Sequence, residues 1–382
     1  MDYKFLPEMK TCPAVFAVGK NYQIMIPFNC ETILWITVGG KKYYDHTNGV
    51  LRSMTRVHKV IVPMDELDKN KEYTVCFRRV LDRKPYFPVI EETKSITYSF
   101  KPVEKKQNIR IYHIADTHGN SDYPARAANF FDNDIVVING DLQEFSKTEE
   151  NLLYTFVLCG AVTRGEIPCV FTRGNHDMRG RFAELQTQYA PSDKGSLYYT
   201  FRIGCIWGMV LDCGEDKEDA YEDYNGTICC HEFRREQTEF IKRVIVDAEN
   251  EYAADDVEYR VIVAHADFAY IQDKPFDIET DIYTDWIELI NKHIKPHFML
   301  CGHEHIYGIG EKNSKFNTLG LNCPVIIGSK PVKNESRADI DYVGAEIIVN
   351  PCSLEVMFTN SKGETEDGAA LKILPTKHNT EF

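Results

Sequence analysis

Aspartate, asparagine and histidine recur together in five short segments of the chain. These are Asp116-Thr117-His118, Gly140-Asp141, Gly174-Asn175-His176-Asp177, His265, and Gly302-His303-Glu304-His305. Alternate residues of an extended segment share a face, so Asp116 with His118, and His303 with His305, can each aim two donors at one cation. Mixed imidazole and carboxylate oxygen sets suit borderline transition metals. The candidate donors are Asp116, His118, Asp141, Asn175, His265, His303 and His305, more than one tetrahedral ion needs. Two ions roughly 3.5–4 Å apart, sharing a carboxylate, would use them all. Such a pair lowers the pKa of a bridging water and yields hydroxide at neutral pH.

Positioning these side chains requires strands that end together. Each segment follows a run that reads as a buried strand: Ile109–Ala115, Asp134–Asn139, Cys169–Thr172, Tyr259–Ala264 and Phe298–Cys301. Open α/β sheets bind ligands beyond the carboxyl ends of their strands. Helices are predicted between them. They cover Tyr123–Phe131, a stretch to Leu158 opened by a Ser146-to-Glu149 capping box, Arg181–Tyr189, and Thr284–Ile294. His231–Ala248 reads as a long amphipathic helix with Phe233, Phe240, Val244 and Ala248 on one side. Strands return at Leu197–Leu211, around Gly204, and from Cys323 to Lys372. Gly140, Gly174 and Gly302 suit tight strand exits and close backbone approach. This alternation is α/β with a largely buried sheet.

The first hundred residues read differently. Thr32–Val38 and Lys41–Tyr44 flank Gly39-Gly40, a hairpin signal. Further strands are predicted at Arg56–Val62, Glu72–Arg78 and Ser95–Phe100, which makes a small all-β sandwich with Trp35 in its core. The charged, proline-containing stretch Lys101–Lys106 reads as a boundary. The organisation is therefore a β-sandwich at 1–102, a catalytic domain at 103–375 and a fraying tail at 376–382.

The ordered set of five motifs resembles the calcineurin-like metallophosphoesterase superfamily over about Ile109 to Met357. The resemblance implies a four-layer α/β/β/α sandwich and a two-metal phosphoester hydrolase, acting on a monoester or a diester. It implies that Asp116, His118 and His305 hold the first metal, that Asp141 bridges, and that Asn175, His265 and His303 hold the second. His176 would stabilise the phosphate and protonate the leaving oxygen, with Asp177 orienting it. The metals would be two divalent or transition ions, with Mn, Fe, Zn and Co all suited to the donors. Leu67 with Tyr73-Thr74-Val75 is similar to a fibronectin type III pattern, and purple acid phosphatases carry such a module before their catalytic domain. The motifs depart from those phosphatases. Where their first motif ends in Gly, this chain has His118; where their second continues to an iron-binding Tyr, it has Glu144. No purple Fe(III)–tyrosinate site is expected.

Other residues weigh less. Arg173, Arg179 and Arg181 flank the Asn175–Asp177 segment, and Arg179 is the preferred clamp for a phosphate oxygen. His113 reads as a packed strand histidine, His293 and His297 as capping or surface groups, and Asp267 as a turn residue. The acidic stretch Glu215–Asp223, with Tyr221 and Tyr224, reads as a mobile loop at the rim. The net charge of −14 gives no general pull toward nucleic acid or anionic lipid. No run reaches the roughly 18 apolar residues of a spanning helix. No CxxC pairing occurs among the twelve cysteines, and reduced thiols in a cytoplasmic protein fit that usage. A competing reading is a catalytically weak interaction scaffold on the same fold. It would require ligand loss, and all seven ligand positions and His176 are present.

Overall fold

The computed structural model describes residues 4–375, so the expected tail at 376–382 lies outside the described residues. Two sheets face each other through one core. The larger has ten strands, in the order Thr365–Lys372, Ser353–Asn360, Asp339–Asn350, Ile109–Ile114, Ile135–Asn139, Pro168–Thr172, Ala14–Val18, Asn21–Pro27 and Val57–Pro63, with Lys330–Lys333 alongside Asp339–Asn350. The smaller runs Tyr199–Ile203, Ile206–Leu211, Tyr259–Ala264, Phe298–Cys301, Val325–Gly328 and Tyr307–Gly310.

Strand alternation builds the layers. In Ile135–Asn139, Ile135 and Val137 face inward to meet Val210, Val263 and Leu300 of the smaller sheet. Val136 and Ile138 face outward, under Phe156 and Leu158 of the helix Tyr154–Thr163. On the far side, Met209, Leu211 and Ile262 pack under Ile241, Val244 and Trp286 of the helices Cys230–Val246 and Thr280–Leu289. The result is the expected four-layer α/β/β/α sandwich. Apolar residues on both faces of each strand are what a doubly covered sheet requires.

The N-terminal region is a small all-β sandwich. Lys94–Ser99, Glu72–Asp82, Thr32–Val38 and Lys41–Tyr44 form a separate sheet over Ala14–Val18, Asn21–Pro27 and Val57–Pro63. Those last three strands also complete the ten-stranded sheet. Val15 and Phe16 pair in parallel with Pro168 and Cys169. The strands Ala14–Val18 and Asn21–Pro27 went unnamed in the sequence analysis, as did the short helix Met64–Asn70.

Several local expectations are corrected. Trp35 is only partly buried: Thr32, Leu34, Ile36 and Val38 take the inner face, and period-two alternation turns Trp35 outward beneath Lys42, 5.7 Å from its ring. The helix near 149 is capped at Thr148, whose backbone N–H donates to Asn151 Oδ1 at 2.9 Å. Ser146 instead donates to the Asp177 carbonyl at 2.8 Å. Arg181–Tyr189 forms a 3₁₀ turn and then one short helical turn. The helix predicted to open at Thr284 begins at Thr280. Helix Cys230–Val246 buries Val244 as expected, and Phe240 and, just past its end, Ala248 pack against the core in part, but its most buried face also takes Arg234, Gln237 and Ile241. Polar anchors choose that face, since Gln237 exchanges two hydrogen bonds with the Asp212 backbone, at 2.8 and 2.7 Å.

Candidate metal centre

All the predicted donors meet where the carboxyl ends of the two sheets converge. Asp116, Asp141 and Asn175 leave strands of the larger sheet; His265, His303 and His305 leave strands of the smaller. Backbone bonds stitch the exits together. Asp116 N–H donates to Gly140 O at 3.0 Å, His118 N–H to Asp141 O at 3.0 Å, and Gly302 N–H to His265 O at 2.8 Å. The turns are tight enough to hold Asp116, His118, Asp141, His303 and His305 at φ between 44° and 69°. Side chains with a Cβ avoid that left-handed region, and such strain gathers where surrounding structure enforces it. Gly140 has no alternative, at φ 78°, because a Cβ there would lie 2.6 Å from Gly174 N and from His265 Nδ1.

Two donor sets share one residue. Asp116, His118, Asp141 and His305 offer atoms within 4.8 Å of one another, and so do Asp141, His265 and His303. His118 Nε2 and His305 Nε2 face each other at 2.9 Å. His265 donates through Nδ1 to Asn139 O at 2.6 Å, which turns Nε2 to Asp141 Oδ1 at 3.3 Å and Asp116 Oδ1 at 3.7 Å. That buried Nε2 has no hydrogen-bond partner of acceptable geometry. Asn175 Oδ1 stands 3.1 Å from His303 Nδ1. Imidazole and carboxylate donors converging at this spacing fit a cation, and the N/O set suits Mn, Fe, Zn or Co.

The metal-free electrostatics show the same crowding. Burial pushes Asp116 up to about 7, with Asp141 adding to the effect. Burial also opposes charge on Asp141, but His265, His176 and His118 outweigh it and hold that carboxylate well below the usual range. Burial lowers His118 to about 3 and also lowers His303 and His305. His265 is the exception: despite burial, Asp141 and Asp116 lift it to about 10. One imidazole thus carries the proton that balances the carboxylates, the place a metal charge would take.

Around the donors, the other candidates divide. His176 lies against the centre, its backbone N–H donating to Asp141 Oδ1 at 2.9 Å and its Nε2 4.0 Å from Asp141 Oδ2. Its ring is not held by Asp177. The Glu144 carbonyl fixes Nδ1 at 3.0 Å, while the Asp177 carboxylate accepts N–H bonds from Asp141, Leu142 and Gly174 at 3.0, 3.3 and 2.9 Å. Asp177 ties the two loops; it does not orient the imidazole. Arg179 reaches His176 Nε2 with Nη1 at 3.0 Å, and its Nε and Nη2 grip the buried Glu215 at 2.9 and 2.7 Å. The acidic loop is therefore anchored at that end, with Tyr224 OH donating to Asp216 at 2.9 Å. Arg173 pairs with Asp212 at 2.8 Å, and Arg181 is exposed. His113 is the expected packed histidine, bonded to Asn139 Nδ2 at 2.8 Å. Asp267 makes the expected turn, accepting from Ala269 N at 2.8 Å. His297 is buried, not at the surface, and accepts Arg260 N–H at 2.9 Å.

Three residues have supporting roles that the sequence does not reveal. Asn139 donates across the sheets to Ala264 O at 3.1 Å and Leu300 O at 3.3 Å, joining three donor-bearing strands. Its signal was a polar residue closing an apolar strand. Ser329 donates to Asp116 Oδ2, and Glu215 holds Arg179; neither stands beside a motif.

The family model for calcineurin-like phosphoesterase matches residues 109–307, and the chain belongs to that family. A purple acid phosphatase, PPD1, from yellow lupin (Lupinus luteus) seeds is similar in structure, with a TM-score of 0.57 and 13% identity, covering 95% of this chain and 74% of that one. PhoD is also similar, with a TM-score of 0.51 and 12% identity over 97% of this chain and 90% of that one. At these identities the likeness is one of fold. No curated protein matches the chain. None of the twelve cysteines is in a disulfide, and no helix among the described residues is long and apolar enough to cross a membrane.

Proposed function

We propose that the protein is a two-metal phosphoester hydrolase. The observation that carries this reading is Asp141, whose carboxylate belongs to both donor sets. Asp116, His118 and His305 would complete one site; Asn175, His265 and His303 would complete the other. When bound, the two ions would acidify water and neutralise charge on the phosphoryl oxygens.

The chain's own groups do the rest. Asn139 O holds His265 Nδ1–H, so the basic nitrogen faces the carboxylates. The Glu144 carbonyl fixes the proton of His176 on Nδ1 and leaves Nε2 toward the centre. From there His176 can stabilise a phosphoryl oxygen and pass a proton to the leaving alcohol once one is supplied at Nε2. Arg179, gripped by Glu215, presents Nη1 to the same space and would bind a phosphate oxygen. The N-terminal sandwich is read as a fibronectin type III-like module, with the catalytic region beginning near residue 103.

The test is metal analysis of purified protein alongside hydrolysis of one chromogenic monoester and one chromogenic diester in several metals. About two equivalents of metal and turnover of at least one ester are expected. Protein that retains no metal and hydrolyses neither ester in added Mn²⁺ overturns the reading.

A further inference from the structure

The cleft that opens from the metal rim is larger than a phosphate requires. Its volume is about 890 Å³, within the range of sites that enclose whole organic ligands. Its inner end holds Asp141, Asn175, His303 and His305 of the donor set, with His176. Its outer wall combines rings with charge: Tyr270, Phe276 and Phe316 line it, each only partly buried, beside Asp273, Lys274 and Lys315, whose Nζ lies 4.9 Å from the Phe316 ring centroid. Ile271 beside them is 48% exposed. Tyr270 and Phe316 meet edge to face, 5.7 Å between ring centroids.

This wall is braced from the metal loop itself. Glu304, between His303 and His305, accepts a hydrogen bond from Gln272 Nε2 at 3.0 Å. A pre-positioned wall loses little freedom on binding, so its contacts reach the ligand nearly undiminished. Aromatic side chains normally bury most of their surface, and rings left half-open beside a polar centre offer a planar guest stacking or edge contact.

We propose that the cleft selects phosphoesters whose alcohol carries a planar aromatic group. The phosphate would lie at the donor set and the ring against Tyr270 and Phe316. This rests on the hydrolase reading above and adds the substrate class to it.

The experiment compares ligands that differ only in the ring. On metal-loaded protein, calorimetry would measure binding of 2-(naphthyl)ethylphosphonate and propylphosphonate. In parallel, kcat/KM would be measured for 2-(naphthyl)ethyl phosphate and propyl phosphate, whose alkyl leaving groups are alike in basicity. The naphthyl member is expected to win about tenfold in both arms. Phe316→Leu, which keeps apolar volume, and Tyr270→Leu should each shrink that ratio, with circular dichroism confirming the fold. Equal binding of the two phosphonates overturns the proposal, as does a preference that survives both substitutions. Equal hydrolysis of both esters would sink this inference and leave the hydrolase reading standing. Failure to hydrolyse either monoester would confine the hydrolase reading to diesters, while the phosphonate arm would still decide whether the cleft prefers a ring.

Discussion

His58 in the N-terminal sandwich and His265 on the rim are both buried beside an aspartate. His58 Nδ1 meets Asp45 Oδ2 at 2.6 Å, and its Nε2 meets Thr32 Oγ1 at 3.0 Å. Both nitrogens are satisfied, so the network is closed and ties three segments of the sandwich. His265 has one nitrogen satisfied by Asn139 O and the other aimed, without a partner, at two carboxylates. The same residue pair is a structural clasp where its valences are filled and a binding centre where one is left open. Burial alone does not distinguish them; the ring nitrogen left without a hydrogen-bond partner does.

Substitutions can break that contrast, the largest effects first. Asp141→Asn removes the shared carboxylate. It should release metal, read by elemental analysis, and lower kcat about 10³-fold on a chromogenic ester. His176→Ala should keep the metal and lower kcat about 10²-fold, because a proton-transfer group is lost and no ligand is. His58→Ala should leave metal content and kcat near wild type but cost about 2 kcal/mol in urea unfolding, since Asp45 and Thr32 lose a buried partner. Similar losses of activity in the His58 and His176 variants would erase the distinction between clasp and centre.

The smallest effect concerns a third buried histidine. Burial lowers His297 to about 4, and Arg260 beside it adds to this. Its folded pKa is depressed, so its contribution to stability is present above the unfolded value of about 6.5. That contribution is lost as pH falls toward 4, because the unfolded chain takes the proton first. Urea midpoints at pH 7 and 4.5 should therefore differ less in His297→Gln than in wild type.

Much of the site could be read in the chain because each donor directly follows an apolar strand. Asp116, Asp141, Asn175, His265, His303 and His305 need only the rule that parallel strands end at one rim. The supporting residues did not show themselves this way. Ser329 and Glu215 reach Asp116 and Arg179 from segments more than thirty positions away, and such contacts carry no local spacing. Asp177 was assigned to His176 by adjacency, yet its neighbours in space are the backbone N–H groups of 141, 142 and 174. Apolar runs that precede a donor, such as Ile135–Asn139, are clear, whereas the equally apolar Ala14–Val18 has no motif after it to mark it. Size argues for Trp35 in the core, but alternation, the stronger constraint on a half-covered sheet, turns it outward. On helix Cys230–Val246, Val244 is legible but Arg234 and Gln237 are not, since polar side chains are not sought in a core.

The parallel pairing of Val15 and Phe16 with Pro168 and Cys169 joins segments about 150 residues apart. Contacts that distant carry a large loop-closure entropy, which slows folding. They also mean that Ala14–Val18 covers what would otherwise be a bare edge of the strand leading to Asn175. A fragment beginning at residue 103 would expose that apolar edge, an open template for pairing with other chains. The N-terminal strands therefore act as a built-in guard against aggregation, and the rim depends on a segment that contributes no donor to it.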